Sequence, residues 1–291
     1  MKFAEKLKAL RKQFKLSQEQ LAEKLGVSRQ AITKWETDAG LPDIENLMAI
    51  ATLFSVSIDD LLSNEKLARS RTGYVYESVT EYDIRRPCHF DVRAAFAMEV
   101  SITTSDDEKL RVRLASNVIQ TLEKDYKVRI DEHRNRMDID IRRLEKAADI
   151  TGKDALYIFI SLPAVLCEKV ELATSTKTLR LIETDFPFEL DGKAGNVFLE
   201  RVTGNVALNC NIDMEIQADS LPPALELNQI NASSVLHIPQ GLAFRTKAKG
   251  INSRTVVIED GKPFPYQSNA EADSYVEIAG MNAELVIDHG I

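Results

Sequence analysis

From about residue 168 onward, an apolar–any–apolar triplet recurs along the chain as Val170-Glu171-Leu172, Leu179-Arg180-Leu181, Phe188-Glu189-Leu190, Val197-Phe198-Leu199 and Val206-Ala207-Leu208. The step is nine residues each time; Met214-Glu215-Ile216 then follows after eight and Leu225-Glu226-Leu227 after eleven. Gly195-Asn196-Val197 and Gly204-Asn205-Val206 repeat outright. Nine residues make one short strand and a corner, so two steps close one turn of a flattened β-coil. Each triplet places its outer residues inward and its middle residue outward, because side chains alternate along a strand. Stacked turns then bury a ladder that no single turn could bury alone. The expectation is an all-β region built as a parallel β-solenoid, with an antiparallel meander as the competing arrangement. Leu199 and Leu208 are expected inside; Glu171 and Arg180 are expected outside and tolerant of truncation.

The same period-two language starts earlier, at Tyr74, in FDVRAAFAMEVSITT, KLRVRLAS, YKVRIDE, RMDIDIRR and ALYIFISLP. These are strands by alternation and β-branched content, and Val118–Lys124 is the one weak helix among them. Before Tyr74 the pattern is different. Phe3, Leu7, Leu10 and Phe14 form a helical stripe. Ser17 stands three residues before Gln20, a capping box that opens a second helix ending at Gly26. Ser28 caps a third helix, Arg29 to Glu36. Asp43 caps a fourth, with Leu47, Ile50, Ala51 and Phe54 on its buried face. Ser57 caps a last short one carrying Ile58, Leu61 and Leu62. The division is therefore multidomain: residues 1–63 all-α, 64–73 a polar linker without apolar period, and 74–291 all-β.

Charge divides along the chain as well. The net charge of −8 belongs entirely to residues 67–291. Residues 1–35 carry nine Lys/Arg against three acids, and residues 36–66 one Lys against seven acids. A basic patch on an acidic chain attracts phosphate locally while the remainder discourages indiscriminate binding.

Within QEQLAEKLGVSRQAITKWE, counting from Gln18, Ala22 falls at position five, Gly26 at nine, Ile32 at fifteen and Trp35 at eighteen. Ala22 lets two helices cross closely. Gly26 takes the left-handed conformation of a sharp turn. Val27, Ile32 and Trp35 pin the second helix to a core and leave its other face free. On these residues, positions 3–62 resemble the lambda-repressor-like helix-turn-helix domain of the xenobiotic-response-element (Cro-type) regulator family. The resemblance implies that the third helix enters the major groove with Ser28, Arg29, Gln30 and Thr33 at base edges. Arg suits guanine and Gln suits adenine. It also implies phosphate contacts from Gln18, at a helix N-terminus, and from Lys34 and Asn46. Arg11 and Glu36 match a scaffold ion pair between the first and third helices. Thr37-Asp38-Ala39 departs from the Gly or Asn-Gly common in the family after the Glu. Residues 156–291 resemble, more loosely, a bacterial adhesin-like β-strand-repeat family, through Phe159-Ile160-Ser161-Leu162-Pro163, the triplets and the Gly-Asn corners.

No enzyme motif stands out. His89, His133, His237 and His289 lie singly, without HxH, HExxH or CxxC spacing, so no metal or cofactor is expected. Cys88, Cys167 and Cys210 are odd in number and far apart, which suits a reduced, cytoplasmic chain. Cys167 and Cys210 are expected as core fillers. No stretch of about 18 apolar residues is present to span a membrane. The expected function is sequence-specific regulation of transcription on a double-stranded DNA operator. A homodimer is expected, held by the β region, which would also carry any effector or protein partner. An antitoxin-like protein, or a β module for a small molecule or glycan that DNA merely localises, are the alternatives.

Overall fold

The computed structural model describes residues 3–13, 16–37, 40–54, 74–144, 156–259, 261–264, 266, 268 and 270–289. The expected fifth helix, the linker 64–73 and Asp38-Ala39 lie outside these residues. The chain separates into two compact units, Met1–Tyr74 and Val75–Ile291.

The first unit holds α1 (Phe3–Gln13), α2 (Gln18–Leu25), α3 (Arg29–Glu36) and α4 (Ile44–Phe54). Its core is Phe3, Leu7 and Leu10 from α1, Leu21 and Ala22 from α2, Ile32 and Trp35 from α3, and Leu47, Ile50 and Phe54 from α4; of the expected stripes, Phe14 and the Ala51 side chain lie outside the described residues. No helix is longer than eleven residues, so none is stable alone; each persists because its apolar stripe is buried against the others.

The second unit is all-β apart from short turns such as α5 (Leu122–Asp125). Its strands are β1 (Tyr76–Asp83), β2 (Cys88–Ala94), β3 (Ala97–Ser105), β4 (Lys109–Ser116), β5 (Tyr126–His133), β6 (Arg136–Arg143), β7 (Tyr157–Pro163), β8 (Cys167–Ile182), β9 (Phe188–Glu200), β10 (Val206–Cys210), β11 (Glu215–Ala218), β12 (Ala224–His237), β13 (Phe244–Ile251), β14 (Arg254–Glu259), β15 (Lys262–Pro263) and β16 (Ser274–Asp288). Two parallel ladders run through it. One follows β6, β2, β8, β9, β10, β12, β16 and β13; the other follows β7, β3, β8, β9, β11, β12, β16 and β14. Within the repeat every pairing is parallel, where a meander would need antiparallel ones. Val170 lies opposite Phe188, Phe188 opposite Val206, and Val206 opposite Leu225. Because β10 and β11 each pair with both β9 and β12, these four strands close a parallel ring within one continuous sheet. Antiparallel pairs occur only at the ends: β5 on β6, β4 on β7, β1 on β4, and β15 on β14.

Strand order departs from chain order twice. β2 and β3 sit inside β6 and β7, and β16 inserts between β12 and the β13–β14 pair. Near the second end, Asn231, Asn282 and Asn252 all take left-handed backbone, at φ 52°, 50° and 54°. Their carboxamides form a ladder, Asn282 donating to Asn231 at 2.8 Å and Asn252 to Asn282 at 3.1 Å. Asn is among the side chains that tolerate this conformation, which explains the choice at a corner.

Both outer residues of each triplet are buried, from Val170 through Leu227. One middle position differs from the expectation. Arg180 is only 11% exposed, bonded to Glu200 at 3.0 Å, 3.4 Å from Glu99, and stacked 3.9 Å over the Phe198 ring. It points outward but is enclosed by its neighbours, so it is a structural residue. Leu199→Asp and Leu208→Asp are expected to unfold the second unit, since an unpaired buried carboxylate costs several kcal/mol. Arg180→Ala should cost about 3 kcal/mol by leaving two half-enclosed glutamates without their cation. Glu171→Ala, in a more exposed pair with Lys169, should cost less than about 1 kcal/mol. Thermal melts followed through the β-sheet circular dichroism signal rank the four variants.

Candidate nucleic-acid interface

The site begins with two caps. Ser17 Oγ accepts from Gln20 N at 3.1 Å while Gln20 Oε1 accepts from Ser17 N at 2.8 Å, a reciprocal capping box that starts α2. Gly26 ends α2 at φ 68°, and Val27 N reaches back to Ala22 O at 3.0 Å. Only a residue without Cβ adopts that φ at no cost, so the turn into α3 is sharp. Ser28 Oγ accepts from Ala31 N at 3.2 Å and starts α3. Ala22, with no bulk beyond Cβ, lies buried where α2 crosses toward α3, while Ile32 and Trp35 turn the inner face of α3 into the core. The outer face is thereby fixed: Ser28, Arg29, Gln30, Thr33 and Lys34 are all exposed.

Beneath that face lies a buried ion pair. Arg11 Nε donates to Glu36 Oε1 at 2.5 Å and Arg11 Nη2 to Glu36 Oε2 at 2.9 Å, with the Glu36 side chain only 2% exposed. Arg11 Nη1 also donates to Leu16 O at 2.9 Å, tying the α1–α2 connection to the pair. Gln18 Nε2 donates to Glu36 Oε2 at 2.8 Å, and Gln18 Oε1 accepts from Thr33 Oγ1 at 3.3 Å. One chain of hydrogen bonds thus joins α1, α2 and α3. Because a carboxylate only accepts, the Gln18 nitrogen faces Glu36 and its oxygen faces the Thr33 hydroxyl, whose one hydrogen is shared with Arg29 O at 3.1 Å; one Nε2 hydrogen remains unused by Glu36. Burial alone pushes the Glu36 carboxyl up, but the bonds from Arg11 and Gln18 together outweigh it and hold its pKa below the usual glutamate value. The bond to Glu36 raises the Arg11 pKa in turn.

An open groove of about 800 Å³ is lined by Glu19, Ser28, Arg29, Gln30, Thr33 and Lys34. Every residue named from the family resemblance as a base contact is here. Gln18 flanks it through its bond to Thr33. Lys34 lines it too, its stem running past Gly40, where a Cβ would stand 2.8 Å from Lys34 Cε. Asn46 is placed differently. Its backbone and side-chain N–H groups both donate to Asp43 Oδ1, at 2.8 and 2.9 Å, so it serves the cap of α4. Sequence spacing gave no reason to single out Glu19, the one acid among the described residues lining the groove, or the link from Gln18 to Glu36, eighteen positions apart. Both depend on how two helices cross.

Elsewhere, no group of His, Cys, Asp and Glu among the described residues could hold a metal ion. Cys88 and Cys167, distant in sequence, stand opposite each other on β2 and β8. Burial pushes the Cys88 thiol up to about 11 and raises those of Cys167 and Cys210 as well, the opposite of what a nucleophile needs. No described helix is long and apolar enough to cross a membrane.

Two helices meeting at a left-handed glycine, one pinned by its inner face and offering its outer face, define a helix-turn-helix domain. Residues 7–61 match the helix-turn-helix family model. Sixty-seven residues are 57% identical to the HTH-type transcriptional activator BcrR of Enterococcus faecalis, covering 23% of this chain and 33% of that protein. The HTH-type transcriptional regulator YqaE of Bacillus subtilis is 46% identical over 68 residues, 22% of this chain and 59% of that protein. The cryptic phage CTXphi transcriptional repressor RstR of Vibrio cholerae is 41% identical over 61 residues, 21% of this chain and 54% of that protein. The chain therefore spans between a third and three-fifths of the relatives it matches. Among solved structures, a candidate cell adhesion protein from Clostridium sporogenes is similar over 73% of this chain and 98% of its own, at 11% identity and a TM-score of 0.39. A candidate adhesin from Bacteroides fragilis is similar over 74% and 97%, at 10% identity and a TM-score of 0.35.

The acid response of the first unit follows from Glu36. A carboxyl whose folded pKa is depressed contributes stability above its unfolded pKa of about 4.3 and loses it as pH falls through the folded value. Melting followed by the fluorescence of Trp35, the only tryptophan, should show stability falling below about pH 4. Glu36→Gln should remove that dependence and cost about 3 kcal/mol at neutral pH, because Arg11 keeps its charge without its partner.

Proposed function

We infer that the chain is a sequence-specific, DNA-binding transcriptional regulator whose helix α3 enters the major groove of a double-stranded operator. The observation that carries this is the groove itself: a hydroxyl, a guanidinium, a carboxamide, a second hydroxyl and an ammonium in one row on α3, with the opposite face of the helix locked into the core. Ser28, Arg29, Gln30 and Thr33 reach base edges, with Arg29 suited to guanine and Gln30 to adenine. Gln18 offers its unused Nε2 hydrogen to a phosphate at the N-terminus of α2, where the helix dipole favours an anion. Lys34 adds charge along the backbone, and Asn46 has one Nδ2 hydrogen left for a phosphate beyond the one it gives to Asp43. Relatives named as an activator and as a repressor support regulation without deciding its sign.

The second unit is best understood as a two-armed parallel β-solenoid, supported by its two parallel ladders and inward triplets. Its role is assembly, sensing or partner contact, without enzymatic chemistry or a cofactor, and residues 64–73 act as the linker. Such a protein works where the DNA is, in the cytoplasm. One helix-turn-helix reads few bases, and operators are commonly read by two-fold dimers on half-sites about one helical turn apart. The described apolar stripes of the first unit are buried in its own core, with Leu41 and Met48 left exposed, and we assign the dimer contact to the larger β unit. Light scattering should give twice the chain mass, and cleavage within 64–73 should leave a dimeric β fragment beside a monomeric helical one. The reverse pattern would move the interface to the helices.

The DNA reading is tested by titrating variants against a selected site and scrambled duplexes at two salt concentrations. Arg29→Ala should cost about 1–3 kcal/mol on the selected site and relax preference at one base pair. Gln18→Ala should weaken all sequences alike, because phosphate contacts position without reading. Lys34→Ala should do the same and flatten the salt dependence by roughly one unit of slope. If Arg29→Ala leaves the preference untouched, α3 does not read bases.

A further inference from the structure

Among the described residues lining the groove, Glu19 is the one that a polyanion-binding surface does not need. It sits in the first turn of α2, next to Gln18, on the exposed side of the helix. Its carboxylate lines the same groove as Arg29, Gln30 and Lys34, and its Oε2 lies 3.7 Å from Arg29 Nη1. Both side chains are mostly in solvent, 74% and 64% exposed, so in the free protein the pair contributes little to stability. Its position has more to do with the nucleic acid than with the fold.

A carboxylate beside a phosphate contact acts on every duplex alike, through repulsion that carries no sequence information. A carboxylate beside the base-reading guanidinium acts differently. Arg presents five donors in a rigid fork, and two of them suffice for the guanine O6 and N7 acceptors. A carboxylate 3.7 Å from the fork attracts its remaining N–H groups, and it repels a phosphate that would approach the same guanidinium, which would be the most favourable contact of Arg29 on a non-cognate duplex. The two effects have the same sign for discrimination: non-cognate binding is penalised and the cognate contact is pre-oriented. Specificity is a difference between affinities, and a repulsive element against the wrong partner is one way to enlarge it.

Resting on the reading of α3 as the base-reading helix, we propose that Glu19 is a specificity-determining residue, positioning Arg29 for its base and disfavouring sequence-independent contact with the phosphate backbone. Glu23 is the matched control. It is one turn further along α2, equally acidic and exposed, and outside the groove.

The experiment uses the full chain. A duplex site is selected from a random pool, and wild type, Glu19→Gln, Glu23→Gln and Arg29→Ala are titrated against it and against scrambled duplexes at two salt concentrations, after melts show that each is folded. Glu19→Gln should bind scrambled duplexes roughly three- to ten-fold more tightly, as expected for removing one charge at contact distance in water. It should gain less than that, or lose affinity, on the selected site, so the ratio of the two affinities falls. Preference at the base pair read by Arg29 should relax in the same variant. Glu23→Gln should keep the wild-type ratio. If Arg29→Ala collapses the ratio while Glu19→Gln behaves as Glu23→Gln does, the role of Glu19 is overturned and the reading of α3 stands. If Arg29→Ala leaves the ratio intact, both fall together.

Discussion

Glu36 is where the first unit is held together. A carboxylate with its side chain 2% exposed is costly to bury, and it persists because Arg11 and Gln18 supply three hydrogen bonds to its two oxygens. The consequence is geometric rather than energetic. Apolar contacts between short helices permit several crossing angles of similar energy, whereas a bidentate guanidinium–carboxylate pair permits few. With α1 and α3 fixed by the pair, and α2 fixed to α3 by Gln18 and Thr33, the outer face of α3 has one orientation relative to the N-terminus of α2. On the proposed reading of α3, a surface that meets bases and phosphates at once needs that orientation before the nucleic acid arrives.

The second unit meets a different constraint, that every strand pair share one register. A one-residue slip would turn each triplet inside out, and the ladder of Val170, Phe188, Val206 and Leu225 leaves no alternative. Outward positions refine the register with pairs that recur at the rung spacing: Lys169 between Glu171 and Glu189, Arg180 between Glu99 and Glu200, Asn228 on Asn209. At Arg180 this refinement makes an outward residue structural. The triplet pattern correctly assigns its direction and says nothing of what surrounds it there.

Periodic features were legible in the sequence, and crossings were not. Helix limits followed from Ser17, Ser28 and Asp43 as caps and from Gly26 as a terminator, since caps act within four residues. The parallel stacking followed from the nine-residue step. The strand β1, rich in Glu77, Glu81 and Asp83, was missed because half of its face is charged and its pairing to β4 rests on Lys109, Arg111 and Arg113 far along the chain. The two departures from chain order were invisible for a related reason: a rung fits equally well on either side of its neighbour by local pattern alone. On α3, which residues face outward was legible, whereas the place of Glu19, and the bonds from Asn46 to Asp43, needed the folded helices.

The charge distribution then bears on how such a surface discriminates. The excess of cations in residues 1–35 and the −8 of residues 67–291 are both large, yet at physiological ionic strength charges separated by more than about 8 Å are largely screened. The acidic remainder of the chain therefore opposes association over distance only weakly once salt is present. Discrimination falls to groups within a few ångströms of the DNA, where screening is weakest. Of the charged side chains lining the groove among the described residues, two are cations and one is an anion. Lys34 can neutralise a phosphate on any sequence. Arg29 can do so as well, unless something holds it toward the bases. On the proposed reading of α3, the balance between attraction and reading then depends on Glu19, the one acid among the described residues lining the groove, placed one residue from Gln18 and within reach of Arg29.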